Sequence, residues 1–178
     1  GFYLGEEPSG YTSFNYDLTE YLNFGGENVL AVRADASFEE GWFYEGAGIY
    51  RNVNLIVTNP VHIARNGTFV TTDKISDSKA DLTAHTTIQN ETNTAQKIIV
   101  VEKILDAEQS IVAENQSNEI EIKPFSSHCV RTNFSVKNPQ LWEVWDYGTP
   151  YLYTVKTYVY NVDSQKVTDK YSMQVGIR

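Results

Sequence analysis

A regular series of short segments in the last two thirds of the chain most constrains its fold. Between residues 80 and 90, for example, Leu82, Ala84 and Ile88 share one face while mostly polar side chains occupy the other. This two-residue period is typical of a β-strand with one buried face. Similar segments recur at 63–72, 80–90, 96–105, 110–113, 119–122, 128–136, 151–160 and 166–175. Seven or eight short strands with turn signals about every 8–12 residues predict an immunoglobulin-like β-sandwich.

One of these segments differs from the rest in its hydrophobic pattern. Residues 96–105 are apolar on both faces, which predicts a strand in the middle of a sheet. The last two segments are separated only by residues 161–165, so they are expected to form a hairpin.

The first 58 residues predict four more strands and one helical turn. The turn spans Asp17 to Leu22, with Asp17 as its cap and Glu20 three residues later. The strands are expected at Phe2–Leu4, Tyr11–Tyr16, Asn28–Ala34 and Ile49–Val57. Because Thr58-Asn59-Pro60 interrupts the strand pattern, the predicted division of this all-β chain is into domains 1–58 and 59–178.

An aromatic loop precedes the strand that is expected at Ile49–Val57. It begins at Trp42 with three successive aromatic residues and ends in a turn that contains Gly46 and Gly48. Glycine adopts backbone angles that other residues avoid, so these two positions predict a loop folded back onto its strand. Aromatic rings stack on the C–H faces of sugars and carboxylates bond their hydroxyls, so an aromatic-acidic loop favours carbohydrate binding.

The sequence from Trp42 to Arg51 resembles the aromatic-Gly-x-Gly-Ile-Tyr-Arg signature of glycoside hydrolase family 2, the β-galactosidase and β-glucuronidase family. The end of the chain carries a second resemblance, to the Pro-x-Leu-Trp, Pro-Tyr-Leu-Tyr and Phe-Gly-Ile-Arg series of that family. The matching segments are residues 138–142, 149–153 and 175–178, where Val175 replaces the usual Phe.

The resemblance implies that residues 1–58 are the C-terminal part of a galactose-binding-like jelly roll. Residues 59–178 would then be the immunoglobulin-like domain, followed in the family by a catalytic (β/α)₈ barrel. Because the two catalytic carboxylates of the family lie on that barrel, no residue of this chain is expected to be catalytic.

The two candidate sugar ligands are Trp42 and Glu40. In several family members an Asp aligned with Trp42 contacts substrate hydroxyls, so the Trp is a departure from the pattern. One interpretation is that Glu40 or Glu39 makes the polar contact, and another is that Trp42 supplies a stacking wall. A third is that Trp42 only packs under the loop, against Phe43 or Tyr44.

Arg51 is expected to be structural, together with Gly46 and Gly48. It lies on an otherwise apolar face of its predicted strand. A buried arginine must be paired, so we expect a carboxylate or several carbonyl oxygens around it.

Charge and composition limit the partners of the chain. The formal net charge of −9 disfavours nucleic acid, and no apolar run approaches the ~20 residues of a membrane helix. The three histidines are scattered without metal-ligand spacing, so neither a metal nor another cofactor is expected. The single cysteine, Cys129, excludes an intrachain disulfide and is expected to be buried as a small hydrophobic residue.

The expected function is that of a non-catalytic N-terminal region of a family 2 glycosidase, of the β-galactosidase kind. It would scaffold the barrel and contribute loops to the sugar pocket. The alternatives are a stand-alone carbohydrate-binding module and an adhesion or spacer module that binds protein. Expected partners are carbohydrate, the protein's own catalytic barrel and a second copy covering the exposed jelly-roll face. The chain looks bacterial, but its location, cytoplasmic, periplasmic or secreted, stays open.

Overall fold

The computed structural model describes residues 1–37 and 46–178, which belong to two compact units, Gly1–Leu55 and Ile56–Arg178. The second unit is an all-β sandwich of eight strands. These are β1 (Val61–Ser76), β2 (Lys79–Asn90), β3 (Gln96–Leu105), β4 (Ile111–Gln116), β5 (Ile120–Ile122), β6 (Ser126–Lys137), β7 (Tyr153–Asn161) and β8 (Lys166–Val175). The strand pattern predicted from the sequence is confirmed, and the bounds of β3 and β8 agree with it to the residue.

The eight strands form two antiparallel sheets. One sheet has three strands in the order β1-β2-β6, and the other has five, in the order β4-β3-β7-β8 with β5 also paired to β3. The segment that is apolar on both faces is β3, which pairs with β4, β5 and β7 and is therefore central. The last two strands form the expected hairpin.

The inward-facing side chains of both sheets build the core, which contains two apolar clusters. One cluster consists of Ala80, Leu82, Ala84, Ile104, Phe134, Val136, Tyr153, Val155 and Ile177. The other consists of Val61, Ile63, Ile88, Ile98, Val100, Ile122, Val130 and Val159. On β2 and β3 the two clusters occupy opposite ends of the strand, and the positions between them, Thr86 and Glu102, are polar.

Glu102 is the centre of a polar layer between the two clusters. Its side chain is fully buried, and its Oε1 accepts hydrogen bonds from the hydroxyls of Thr86 (2.7 Å) and Thr157 (3.1 Å). Thr86 lies on the three-stranded sheet, whereas Glu102 and Thr157 lie on the five-stranded sheet. The bond between Thr86 and Glu102 therefore joins the two sheets through the middle of the core.

A bulge in β1 supplies another member of the polar layer. Ile63 pairs with Ile88 and Thr68 pairs with Thr86, so residues 64–67 of β1 stand opposite a single residue of β2. Asn66 has a φ of 55°, a conformation that asparagine tolerates better than most residues. A Cβ on Gly67 would lie 2.6 Å from the carbonyl oxygen of Ala64. The Asn-Gly pair thus makes the bulge possible and brings Thr68 to face the core.

Thr86→Val should lower the stability of the sandwich. Valine has the shape of threonine but removes one of the two hydroxyl donors to the buried carboxylate, and a lost hydrogen bond to such a group costs about 1.5–3 kcal/mol. In a Glu102→Leu background the same substitution should be neutral or stabilising, because it then removes a buried hydroxyl without an acceptor. Urea unfolding of the four proteins measures both effects.

The matched control is Thr87→Val, because Thr87 follows Thr86 in the chain but lies on the outer face of β2, half-buried. It should change the free energy of unfolding by no more than about 0.5 kcal/mol. If Thr86→Val costs the same with and without Glu102, the polar layer does not join the sheets.

The first unit differs from the sequence expectation. Among residues 1–37 and 46–55, the structure contains no β-strand, and the four expected strands are wrong as paired elements. Their large side chains are largely exposed, including Phe2, Tyr3, Tyr11 and Phe14. The physical reason is that a strand needs a hydrogen-bonded neighbour, and isolated β segments are at best marginally stable in water.

The helical turn in the first unit forms, but it begins two residues later and ends one residue earlier than expected. It is a 3₁₀ turn over Thr19–Tyr21 with Leu18 at the N-cap position. The carboxylate of Asp17 still accepts hydrogen bonds from the hydroxyl and the amide of Thr19, at 2.6 and 2.9 Å. Those two bonds lower the pKa of Asp17 below its ordinary value.

Cys129 is exposed, so its expected burial is wrong. The buried residues of β6 are Val130, Thr132, Phe134 and Val136, all at even positions. Because side chains alternate along a strand, Cys129 must lie on the outer face. In the described ranges, no helix has the length and apolar character that would let it cross a membrane.

Candidate functional site

The two candidate sugar ligands, Trp42 and Glu40, lie outside the described residues, as do Glu39, Phe43 and Tyr44. The glycines that follow them are described. Gly46 and Gly48 have φ angles of 137° and 138°, a region that favours glycine. These angles are ones that residues other than glycine rarely adopt, and the folding of the loop back onto its strand stays a prediction.

Arg51 is exposed, so its expected burial beside a carboxylate is wrong. Its guanidinium lies 5.2 Å from the centre of the Tyr50 ring, within the range of a cation–π contact. The hydroxyl of Tyr50 in turn donates a hydrogen bond to the carbonyl oxygen of Gly10 at 3.1 Å. Because the strand at 49–57 is not paired, Arg51 has no sheet face to lie against. A role of Arg51 in orienting the aromatic loop stays a prediction.

The Arg51→Ala substitution should leave the stability of this chain nearly unchanged. An exposed side chain whose contact is one surface cation–π pair contributes little, and we expect a change within about 0.5 kcal/mol. Thermal melts of Arg51→Ala beside Arg51→Lys measure it. A loss above about 2 kcal/mol that lysine rescues would show that the cation is paired and buried after all.

The second unit presents another aromatic-acidic loop, formed by residues 143–149 and called the tongue below. Its ends are joined by an antiparallel bridge between Trp142 and Pro150. The amides of Tyr147 and Gly148 both donate to the carbonyl oxygen of Val144 at 3.0 Å, which closes the tongue into a tight turn. At its tip Trp145 is 82% exposed and Tyr147 is 83% exposed, with Asp146 between them.

The base of the tongue is fixed to the end of the chain. The amide of Trp142 donates to the carbonyl oxygen of Ile177 at 2.8 Å, and Ile177 is fully buried in the core. A Cβ on Gly176 would lie 2.8 Å from Trp142, so only glycine fits there without a shift. The guanidinium of Arg178 lies 5.4 Å from the Trp142 ring centre. The Leu-Trp and Gly-Ile-Arg motifs, distant in sequence, therefore meet in space.

The Tyr-Leu-Tyr motif supports the same region. The hydroxyl of Tyr153 accepts a hydrogen bond from the amide of Gln140 at 2.9 Å, and the Tyr151 and Tyr153 rings pack edge to face at 4.9 Å. Burial raises the pKa of Tyr153, although the bond from Gln140 opposes the shift. Tyr153 thus stays a neutral phenol, and its hydroxyl fixes the backbone at Gln140, shortly before the tongue begins.

The chemistry of the tongue suits binding of a neutral, hydroxyl-rich ligand. Two exposed rings offer apolar faces, and the carboxylates of Glu143 and Asp146 offer acceptors. Residues 140–152 contain no lysine or arginine, so the tongue carries no cation to pair with an anionic ligand. Within the described part of the chain, no group of three or more His, Cys, Asp or Glu side chains is arranged to hold a metal ion.

Known proteins resemble this chain in both sequence and fold. The family model described as Glycosyl hydrolases family 2 matches residues 61–178. The chain belongs to this family. A β-galactosidase of Bacteroides ovatus is 42% identical over 179 residues, which cover all of this chain and 20% of that protein. A β-glucuronidase of Formosa agariphila is 34% identical over 199 residues, again all of this chain and 20% of the relative.

Among solved structures, a glycosyl hydrolase family 2 member from Bacteroides cellulosilyticus superposes with a TM-score of 0.90 at 34% identity. The match covers 98% of this chain and 23% of that one, so it includes most of residues 1–55. The chain thus spans about a fifth of the length of the curated relatives that it matches. The resemblance recognised from the sequence motifs is confirmed.

Sequence reasoning missed the tongue as a candidate site. It used Trp142 and Tyr151–Tyr153 only as family motifs and did not consider the residues between them. The missed signal is the run Trp145-Asp146-Tyr147, followed by Gly148 and Pro150. Aromatic residues beside turn residues are the same sequence pattern that predicts the loop at Trp42.

Proposed function

We propose that this chain is a non-catalytic region of a β-galactosidase-like family 2 enzyme, which hydrolyses O-glycosidic bonds with retention on a separate (β/α)₈ barrel. The role of the region is to scaffold that barrel and to contribute loops to its sugar pocket. The observation that carries the proposal is the meeting of Trp142 with Gly176–Arg178. These family motifs thus hold the segment that follows the last strand, residues 176–178, against Trp142.

Several findings support the region's place in a larger enzyme. The relatives include a β-galactosidase and a β-glucuronidase of which the chain matches 20% each, so most of their length lies elsewhere. The identity to the β-galactosidase is the higher of the two. Hydrolysis with retention needs two carboxyl groups about 5 Å apart, and in the proposed enzyme that pair lies on the barrel.

The division into domains 1–58 and 59–178 is part of the proposal. Residues 1–58 are then the end of a jelly roll whose remaining strands would pair with the segments at 2–4, 11–16, 28–34 and 49–57. The exposed aromatic side chains of this unit support that view, because a sandwich buries such residues on its inner faces. A second copy of the chain covering them stays a prediction.

Within this proposal Trp42 and Glu40 contact the sugar bound by the barrel. The support is the aromatic-acidic composition of their loop and the positive φ angles of Gly46 and Gly48 that follow it. Trp42 offers a ring face for the sugar, and Glu40 offers a carboxylate for its hydroxyls.

A chimeric enzyme tests the scaffold role. The matching fifth of the Bacteroides ovatus β-galactosidase is replaced by this chain, and hydrolysis of a nitrophenyl β-galactoside is measured. Because the chain would supply the same contacts, the chimera should be folded and active, whereas the chain alone should show no turnover. A folded, monodisperse chimera without activity would contradict the scaffold role, and turnover by the purified chain alone would contradict the location of the chemistry.

The same chimera tests the sugar contacts. Trp42→Ala and Glu40→Gln should each lower kcat/KM by about tenfold, equal to about 1.4 kcal/mol, because each removes a contact to the sugar. Thr87→Val, on the outer face of β2, serves as the control and should leave kcat/KM within about twofold. If the Trp42 and Glu40 variants behave like this control, neither residue contacts the substrate.

A stand-alone carbohydrate-binding function is the second candidate, and the exposed tip of the tongue favours it. The absence of cations from residues 140–152 favours a neutral sugar over a uronic acid as its ligand. NMR titration of the 178-residue chain with a methyl β-galactoside should then shift the amide signals of residues 143–149, and Trp145→Ala should abolish those shifts. A methyl glucuronide should have a weaker effect. Unchanged signals at saturating galactoside would exclude this function.

A further inference from the structure

Exposed apolar side chains gather in and directly beside the tongue. They are Leu141, Val144, Trp145, Tyr147 and Leu152. A single exposed apolar side chain is ordinary, whereas a group of them marks a surface that another molecule or domain covers. The tongue is therefore a candidate interaction surface.

Hydrogen bonds hold the tongue in one shape, so its exposed rings are not the result of a loose loop. Besides the two bonds to the carbonyl oxygen of Val144, the amide of Glu143 donates to the carbonyl oxygen of Thr149 at 3.1 Å. The hydroxyl of Tyr151 accepts a bond from the amide of Ala107 at 3.0 Å, which ties the turn after β3 to the base of the tongue. A preformed projection loses little conformational entropy when a partner covers it.

The end of the sequence lies beside the base of the tongue. The amide of Trp142 is bonded to the carbonyl oxygen of Ile177, and the guanidinium of Arg178 lies 5.4 Å from the centre of the Trp142 ring. Any polypeptide that continues beyond Arg178 therefore starts next to the tongue, and it is the nearest candidate to cover the exposed rings.

We propose that the tongue is a docking element that inserts Trp145 and Tyr147 into an apolar pocket of the catalytic barrel. This inference rests on the function proposed above, in which the barrel follows residue 178. The sandwich is then held to the barrel at two points, the covalent connection at Arg178 and the tongue. A single connection leaves the two domains free to rotate, whereas two contacts fix their orientation.

The charges of the tongue define the rim of the pocket that it fits. The tongue carries Glu143 and Asp146, and residues 140–152 contain no lysine or arginine. A carboxylate that is covered without a partner is strongly unfavourable, so the rim supplies lysine, arginine or backbone amides to these two side chains. The partner surface is therefore an apolar pocket with a basic rim.

The direction of the barrel strands separates this role from substrate binding. A strand of a (β/α)₈ barrel begins at the face opposite to the active site and spans about 17–20 Å. If the first strand follows Arg178, the sugar pocket lies at the far end of the barrel. In the full-length enzyme the tip of the tongue thus contacts protein. Sugar binding by the same tip, the stand-alone function considered above, is the competing outcome of the tests.

Hydroxyl-radical footprinting, read by mass spectrometry, measures the solvent exposure of Trp145 and Tyr147 directly. Their oxidation is compared between the 178-residue chain and the Bacteroides ovatus chimera, with both rates normalised to an added reference peptide. We expect oxidation about fivefold slower in the chimera, because the core of an interface excludes solvent. Equal rates would overturn the proposal. So would slower oxidation of Trp145 in the chain alone on addition of methyl β-galactoside, because the tip would then be a sugar site.

Melting temperatures test whether the contact stabilises the assembly. The double variant Trp145→Ser/Tyr147→Ser should melt about 3 °C or more below the unsubstituted chimera, whereas the same change should shift the 178-residue chain by less than about 1 °C. The matched variant Trp145→Phe/Tyr147→Phe keeps apolar rings and should recover most of the loss. Equal shifts in chain and chimera would show that the tongue serves only the sandwich, which contradicts docking.

Neither measurement uses activity. A folded but inactive chimera would contradict the scaffold role, while the footprint of the same chimera still decides whether the tongue is covered. Footprinting also uses the unsubstituted proteins, so it decides even if a variant fails to fold.

Discussion

The hydrogen bond between Thr86 and the buried carboxyl of Glu102 is the contact on which the sandwich most depends. Apolar contacts between the sheets are not directional, so the clusters on either side specify the alignment less sharply than a hydrogen bond does. A hydrogen bond of 2.7 Å from β2 to β3 permits one alignment. Thr157 joins the same carboxyl from β7. The polar layer thereby specifies which residues face each other, at the cost of burying an acidic group.

Alignment of the sheets matters because the end of the sandwich carries the family motifs. Ile177 is buried in the apolar cluster that contains Leu82, and its carbonyl oxygen accepts a hydrogen bond from the amide of Trp142. The tongue, with Trp145 at its tip, is therefore positioned by the core. In the proposed function this end of the sandwich connects to the catalytic barrel, so a shift between the sheets would move the connection to the barrel.

The strands of the sandwich could be predicted because a period of two residues and short turns leave few alternatives, as in β3 and β8. The alternation along β3 also places Glu102 on one face with Ile98 and Ile104. Its hydrogen-bond partners could not be predicted, because they depend on which strands of the two sheets face each other. The face of Cys129, in contrast, could have been predicted, because it shares its face with Arg131, Asn133 and Ser135. In residues 1–58 the alternation reports which face a strand would bury. It does not report whether a pairing strand is present, so the four predicted strands were wrong.

We expect residues 56–178 to fold as an independent sandwich, whereas the segments of residues 1–55 need further strands. Native-state hydrogen exchange of the 178-residue chain tests it most directly, since it measures the opening of each backbone hydrogen bond. We predict strong protection of paired amides in β2, β3, β6 and β7, and exchange near the unprotected rate for residues 2–4, 11–16 and 28–34. Equal protection in both units would contradict it.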